Sequence, residues 1–165
     1  MDTVEQKIAQ VEEIVGYSFT DKLLCAEALQ TAGLPNNRLT VNGTSHVVNK
    51  NDRLAILGNS IMAAILCELW YGYQNDQGSA PTKAQWDTLR LRKLSNAYLG
   101  QLGTSLEIDR LIFLNPGMSH ASLAMIATAF EAILGAVYKD AGFNGLDAMR
   151  IVMNKLGFND PALLN

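Results

Sequence analysis

The sequence predicts an all-α domain of about seven to nine helices, and three observations point to this class. Apolar residues recur at the spacing of one helix face in several long segments, most clearly over residues 51–71 and 122–138. Residues that favour turns and helix caps separate these segments. No segment alternates apolar and polar residues over a length convincing for a strand. The 165 residues, 48% of them hydrophobic, suit one domain with its own core over residues 1–165.

Two amphipathic helices are expected at the beginning of the chain. The first covers residues 3–15, where the apolar side chains form a single stripe, and the segment Gly16–Phe19 interrupts it. Either Thr20 or Asp21 then caps a second helix that continues to Leu29.

A long surface loop is expected next, over residues 33–49, because this segment is rich in Asn, Gly, Thr and Pro. Val47–Val48 is its one candidate for a short extended piece. The clearest helix of the sequence then begins near Asn51 or Asp52 and ends at about Tyr71. The residues expected to face the core are Leu54, Leu57, Ile61, Ile65, Leu66 and Leu69.

Two shorter helical patterns follow a turn-rich connector over residues 72–81. They cover Trp86–Leu94 and Ala97–Leu102, and Ser95 is placed to cap the second of them.

A strongly apolar segment is expected to form the central, buried helix. It begins at His120 or Ser122, ends at about Tyr138 and is apolar nearly all round. Residues 143–156 then predict a last amphipathic helix.

The charge balance argues against a broad nucleic-acid-binding surface. The formal net charge is −3 and the isoelectric point is near 5.3, whereas duplex binding depends on neutralising phosphates with Lys and Arg. One local basic run, Lys83, Arg90, Arg92 and Lys93, is the candidate for RNA phosphate contacts. A solvated helix face is the other interpretation of the same residues.

Cysteine usage and the N-terminal composition predict a cytoplasmic protein. Cys25 and Cys67 each lie in an apolar helical pattern, which predicts two small core residues in a reducing compartment. The acidic segment before Tyr17 resembles neither a presequence nor a secretory signal. No run of about 18 apolar residues occurs, so no membrane partner is expected. No Cys or Cys/His cluster has zinc spacing.

Four segments, taken in their order and spacing, carry a family resemblance. The two most specific are Asn51–Asn59, NDRLAILGN, and Ala127–Tyr138, ATAFEAILGAVY. Shorter matches lie in Tyr17–Leu29 and Leu89–Leu99. Together they resemble the ribonuclease III domain family over about residues 11–156. The resemblance implies the helical endonuclease-domain fold, here expected without a double-stranded RNA-binding domain.

The resemblance also locates a metal site whose ligands are largely missing. Members of the family use Mg²⁺ to hydrolyse RNA, and Mg²⁺ prefers carboxylate oxygens. The family's four ligand positions fall on Ala55, Asn59, Thr128 and Glu131, so Glu131 alone keeps a carboxylate. We therefore expect a catalytically degenerate member without a metal cofactor.

The remaining polar residues of this region have two interpretations each. Glu131 is either a functional acid or base, or a structural carboxylate bonded to Arg53 or a helix N-terminus. Asp52 and His120 are accessory candidates. The alternative role of Asp52 is to stabilise the N-terminus of its helix through the helix dipole. The alternative for His120 is a solvated or capping histidine.

Three functional hypotheses follow. The first is a non-catalytic homodimer, paired through the signature helix as the resemblance implies, that acts as a scaffold or binds structured RNA or a ribonucleoprotein. The second is a repurposed enzyme that holds a small organic ligand in the neutralised site around Glu131. The third, an active Mg²⁺-dependent double-stranded RNA endonuclease, is disfavoured by the missing carboxylates.

Overall fold

The computed structural model describes residues 2–158, and the predicted all-α class is confirmed. Two short 3-10 segments, Ile108–Arg110 and Gly142–Asn144, accompany the longer helices. In the described residues the α-helices are α1 (Val4–Val15), α2 (Lys22–Leu29), α3 (Asp52–Gly72), α4 (Lys83–Lys93), α5 (Asn96–Ser105), α6 (Leu123–Ala141) and α7 (Gly145–Lys155).

A β-hairpin occupies the segment between α2 and α3. Strands β1 (Arg38–Val41) and β2 (Thr44–Val47) pair antiparallel. The expectations of an irregular loop over residues 33–49 and of no strand were therefore wrong. Asn42 and Gly43 at the tip have φ angles of 50° and 76°. A two-residue Asn-Gly turn matches the twist of paired strands, so this dipeptide favours a hairpin. The prediction missed it because it relied on the periodicity of apolar residues.

Helix caps account for the boundaries of the first two helices. The hydroxyl of Thr3 accepts from the backbone N–H of Gln6, and the Gln6 side chain accepts in return from the N–H of Thr3. Gly16 ends α1 in the left-handed conformation, with φ of 69°. Of the two expected caps of α2, Asp21 is the one used, since its carboxylate accepts from the N–H of Leu23.

Helix α6 is the centre of the domain, as predicted. It contacts α2, α3, α5 and α7, and ten of its residues are buried. Ser122, rather than His120, caps it by accepting from the N–H of Met125, and the helix continues past Tyr138 to Ala141. Burial on all sides explains why this segment is apolar nearly all round.

Two glycines allow α3 and α6 to cross at backbone contact. A Cβ on Gly58 would lie 1.9 Å from the carbonyl oxygen of Glu131, and a Cβ on Gly135 would lie 2.2 Å from the carbonyl oxygen of Leu54. No larger residue fits either position without moving a helix. The crossing therefore fixes residues 55–59 of α3 against residues 128–135 of α6.

The buried face of α3 is centred on this crossing. Leu54, Ile65 and Leu66 are buried as expected, together with Ala55 and Met62. Three residues that were expected to face the core, Leu57, Ile61 and Leu69, are only half-buried. The reason is that close approach at Gly58 turns the face containing residues 55, 58 and 62 towards α6.

Helix α3 keeps an exposed apolar side as well. Over its best 18-residue window the mean hydropathy is 1.6, so by length and composition alone it could cross a membrane, although a third of that window is buried in the domain. Ile56 and Tyr71 are 70% and 82% exposed. This side of α3 has no covering element among residues 2–158.

The two cysteines differ in burial. Cys25 is fully buried and Cys67 is half-buried, and both are free thiols. The prediction of a core residue is confirmed for Cys25, whereas Cys67 lies on the partly exposed side of α3.

Candidate functional site

The α3–α6 crossing brings into direct contact two of the four residues that the family resemblance aligns with metal-ligand positions. Nδ2 of Asn59 donates a hydrogen bond of 2.8 Å to Oε1 of Glu131. Arg53, the alternative partner considered from sequence, does not pair with Glu131; among the described residues it lines a different cavity together with Glu27 and Lys139. The retained carboxylate is thus held by an amide, not by a cation.

Burial controls the electrostatics of Glu131. The side chain is half-buried, and desolvation raises the pKa of its carboxyl above the ordinary value. The hydrogen bond from Asn59 favours the ionised form and offsets only part of this effect. A carboxyl with a raised pKa is suited to proton transfer, but it is equally the expected state of a former metal ligand without a counter-charge.

The other two positions do not complete a metal site. Ala55 is buried and has no donor atom. The hydroxyl of Thr128 donates to the carbonyl of Ala124, 2.9 Å away in the same helix. Across residues 2–158 no group of three or more His, Cys, Asp or Glu side chains is arranged to hold a metal ion. One carboxylate, one amide and one neutral hydroxyl do not fit the preference of Mg²⁺ for several carboxylate oxygens.

The two accessory candidates lie away from the Glu131 carboxylate. Asp52 is exposed in the first turn of α3, where its carboxylate accepts from the N–H of Arg53, and it lines a cavity of about 370 Å³ with Thr128. His120 is exposed, with Nδ1 3.0 Å from the Ser119 hydroxyl, and lines a separate cavity of about 870 Å³. Neither has a hydrogen bond to Glu131.

The basic run lies on α4 but does not form a single face. Lys83 and Arg90 are exposed and lie seven positions apart, nearly two full turns, so they share a side of the helix. Lys93 lies beside them with its ammonium 4.3 Å from the centre of the Tyr98 ring. Arg92 follows Arg90 by two positions, about 200° around the helix, and so points elsewhere.

Two buried polar residues near the end of α2 were not predicted from the sequence. Asn51, expected only as a helix start, is 1% exposed, and its amide donates to the carbonyl of Ala28. Gln30 is also fully buried, and it pairs with Phe113 in an isolated parallel bridge. Both hold the end of α2 against neighbouring segments. The only sequence feature that could have indicated their burial is a polar residue at an inward position of an otherwise apolar pattern.

The crossing of α3 and α6, with Asn59 hydrogen-bonded to Glu131, lies at the centre of an all-helical domain. The ribonuclease-III-like family matches residues 39–156, and the chain belongs to this family. The resemblance seen in the sequence is therefore confirmed.

Curated relatives agree with this assignment. Ribonuclease 3 of Rhodopirellula baltica is 26% identical over 141 residues, which are 82% of this chain and 47% of that protein. Ribonuclease 3 of Acinetobacter pittii is 30% identical over 133 residues, which are 78% of this chain and 51% of that protein. The chain thus spans about half the length of the curated relatives it matches.

Solved structures support the same fold. The nuclease domain of ribonuclease III from Campylobacter jejuni matches with a TM-score of 0.71 at 22% identity, covering 93% of this chain and 99% of that domain. A second structure of that nuclease domain matches with a TM-score of 0.69 at 21% identity, covering 93% of this chain and 95% of that chain. At this identity the likeness concerns the fold alone.

Proposed function

We propose that this chain is a non-catalytic ribonuclease III-like domain that forms a homodimer and binds structured RNA, alone or in a ribonucleoprotein. The observation that carries the proposal is the hydrogen bond from Asn59 to Glu131. The amide N–H directed at the carboxylate offsets only part of the cost of burying it, and among the described residues no cation is paired with it. A site with one carboxylate stabilises a dication far less than a site with four.

The loss of cleavage follows from the same atoms. Metal-assisted phosphodiester hydrolysis needs ions that activate water and stabilise the leaving oxygen. Ala55 has no ligand atom, and Thr128 has a neutral hydroxyl in place of a carboxylate, so neither supplies the negative charge that holds a dication. We therefore expect no Mg²⁺-dependent cleavage.

The exposed side of α3 supports the homodimer. It presents an exposed stripe from Ile56 through Ser60 and Ala64 to Tyr71, about 22 Å long by helical rise. Ala63 and Cys67 beside this stripe are half-buried, and Glu68 on it is ion-paired with Arg150 of α7. Small and apolar residues along the stripe permit close packing of a second copy around a two-fold axis. One of the matching Campylobacter jejuni structures is described by a flexible region involved in dimer formation of that nuclease domain.

The RNA-binding part of the proposal depends on α4. Lys83, Arg90 and Lys93 give one side of this helix a local excess of positive charge within an acidic chain. A dimer doubles the number of such faces and places them at a fixed separation. Since phosphate neutralisation dominates duplex affinity, binding would weaken steeply with salt.

The test is binding and cleavage of an RNA duplex of about 20 base pairs, measured at several salt concentrations. We expect salt-sensitive binding that weakens in the double variant Lys83→Gln/Arg90→Gln. The control Arg150→Gln/Lys155→Gln makes the same charge change on α7 and should bind as the parent does.

The cleavage arm uses Mg²⁺ with the parent and with Glu131→Gln. Intact RNA in both supports a non-catalytic domain. Cleavage by the parent that Glu131→Gln abolishes would make the chain an active nuclease instead. Absence of duplex binding at low salt would remove the RNA-binding part and leave a dimeric scaffold.

A repurposed small-molecule enzyme is the second candidate. It is favoured by the raised pKa of Glu131 and by the cavity of about 370 Å³ that touches Thr128, one helical turn before Glu131. Ala55, Asn59 and Glu131 do not line that cavity, which is why this function ranks second. A crystal soaked with a fragment mixture that places a ligand against the Glu131 carboxylate would reverse the ranking.

A further inference from the structure

A large cavity lies away from Ala55, Asn59, Thr128 and Glu131. It has a volume of about 870 Å³, within the range of small-molecule sites in proteins. Its walls come from α1, the β-hairpin segment, α5, the start of α6 and residues 109–121. None of these four residues lines it, so its occupant is independent of the function proposed above.

One wall contains a buried polar group without a partner. Gln30 is 0% exposed, and its Oε1 accepts from the backbone N–H of Ala32 at 2.9 Å. That bond fixes the orientation of the amide, since a backbone N–H must face an oxygen. Nε2 then has no hydrogen-bond partner among residues 2–158. A buried donor that stays unpaired lowers stability, so an acceptor atom from a ligand would be favoured here.

A cation lies at the same wall. Nζ of Lys7 donates to the carbonyls of Arg110 and Leu111, at 3.0 Å and 3.3 Å, which leaves one of its three N–H groups available. The ammonium lies 5.1 Å from the centre of the Phe113 ring. Gln30 is the bridge partner of Phe113, so both donors are anchored on one residue. Burial lowers the pKa of Lys7, which indicates a partly desolvated charge.

The segment that holds these donors is rigid. The N–H of Phe113 donates to the carbonyl of Leu29, and the carbonyl of Phe113 accepts from both the backbone N–H and the hydroxyl of Thr31. Arg110 and Asp109 also line the cavity, and Arg110 is ion-paired with Glu107. The remaining cation is the partly desolvated ammonium of Lys7, which favours an anionic group over a cationic one.

The rest of the cavity is apolar. Leu39, Ile112 and Ile126 line it, and Met118 and Leu123 are lining residues that remain 42% and 49% exposed. Large apolar side chains exposed at a concave surface gain from being covered by an apolar body. The occupant therefore needs an oxygen acceptor at one end and a hydrocarbon or aromatic portion at the other.

We propose that this cavity is a binding site for a small amphiphilic carboxylate, whose oxygens accept from Gln30 Nε2 and Lys7 Nζ while its apolar portion covers Leu123 and Met118. The site is not part of the proposed RNA-binding function, and either can fail without the other.

Octanoate, octan-1-ol and octylammonium are suitable probes, titrated into the full chain with binding followed by calorimetry and backbone amide NMR shifts. We expect one octanoate per chain, bound at least about tenfold more tightly than octylammonium. The largest shifts should fall on the amides of Gln30, Phe113 and Leu123. No saturable octanoate binding, or shifts confined to the α3 stripe, would overturn the proposal.

Matched variants separate binding from folding. Leu123→Glu should weaken octanoate binding about tenfold, while Leu91→Glu, the same change at an exposed leucine of α4, should not alter it. Lys7→Met should remove the preference for octanoate over octylammonium and keep octan-1-ol bound, a result that misfolding cannot produce. Equal binding by the two glutamate variants, or an unchanged preference in Lys7→Met, would contradict the site.

Discussion

Gly58 and Gly135 face each other where α3 and α6 cross, so that a Cβ on Gly58 would lie 2.8 Å from the backbone nitrogen of Gly135, and a Cβ on Gly135 would lie 3.0 Å from that of Gly58. The contact is reciprocal and involves backbone on both sides. Side-chain repacking therefore cannot relieve an added methyl group. The same crossing brings Asn59 to Glu131, so that packing and site geometry share one cause.

Substitution at the crossing is the first prediction. Gly58→Ala is expected to lower the free energy of unfolding by about 3 kcal/mol, because the helices must separate to admit the methyl group. Denaturant unfolding at a fixed protein concentration measures this. The control is Gly72→Ala at the end of α3, where nothing lies within 4 Å and the change should stay within about 0.5 kcal/mol. Equal losses in the two variants would refute the close contact.

The second prediction concerns the titration of Glu131. Its folded pKa is raised above the ordinary value of 4.5, so between these two values the folded state binds more protons than the unfolded state. The contribution of Glu131 to stability is therefore complete below the unfolded pKa and is lost as the pH rises through the folded pKa. Glu131→Gln keeps an acceptor for the Asn59 amide and cannot ionise, so it removes the loss of stability that Glu131 causes as the pH rises.

The measurement is the free energy of unfolding of parent and Glu131→Gln from about pH 4 to about pH 7. The stability of Glu131→Gln relative to the parent should increase with pH across this range. The same change at an exposed position of α1, Glu13→Gln, is the control variant. A relative stability of Glu131→Gln that decreases with pH would mean that the folded carboxyl favours its charged form.

The third prediction concerns the hydrogen bonds that join the connector between α1 and α2 to Asp140 of α6. The Asp140 carboxylate accepts from the Tyr17 hydroxyl at 2.7 Å and from the N–H groups of Thr20 and Asp21 at 2.8 Å. Burial raises the pKa of Asp140, but these three donors outweigh it and the pKa is lowered overall, while that of Tyr17 is raised to about 12.

Asp140→Asn should lower the free energy of unfolding by about 1 to 2 kcal/mol at neutral pH, after allowance for solvent screening. A lowered folded pKa means that this stabilisation is present above the unfolded pKa and is lost as the pH falls through the folded pKa. The difference from the parent should therefore shrink under acid conditions. Asp147→Asn, which touches an exposed ion pair, should change stability much less. A deficit that is constant with pH would argue against a charge effect.

The fourth prediction tests the homodimer. Ile56→Lys places a charge in the exposed stripe of α3 and should raise the dimer dissociation constant at least about tenfold, as measured by sedimentation equilibrium. Ile151→Lys is the matched control on α7, where isoleucine is 68% exposed, and should dimerise as the parent does. A monomeric parent would remove the interface altogether.

The sequence alone determined the parts of the fold that depend on local pattern. The apolar period predicts α1, α3 and α6, and Asp21, Ser95 and Ser122, each named at an expected helix start, are the caps found in the structure. These features depend on residues within one or two turns of each other, so their physical cause is contained in the local sequence. The degree of exposure was predicted less well, as the half-buried Leu57 shows.

The tertiary structure decided which of these elements meet, and therefore what the site contains. The hydrogen bond from Asn59 to Glu131 joins residues 72 positions apart, and it exists because Gly58 and Gly135 let two helices touch. The unpaired Nε2 of Gln30 likewise depends on tertiary structure, because Gln30 is buried where it pairs with Phe113. A one-dimensional pattern specifies which face of a helix is apolar, but the partner, the crossing point and the donors left unpaired are set by how the helices pack together.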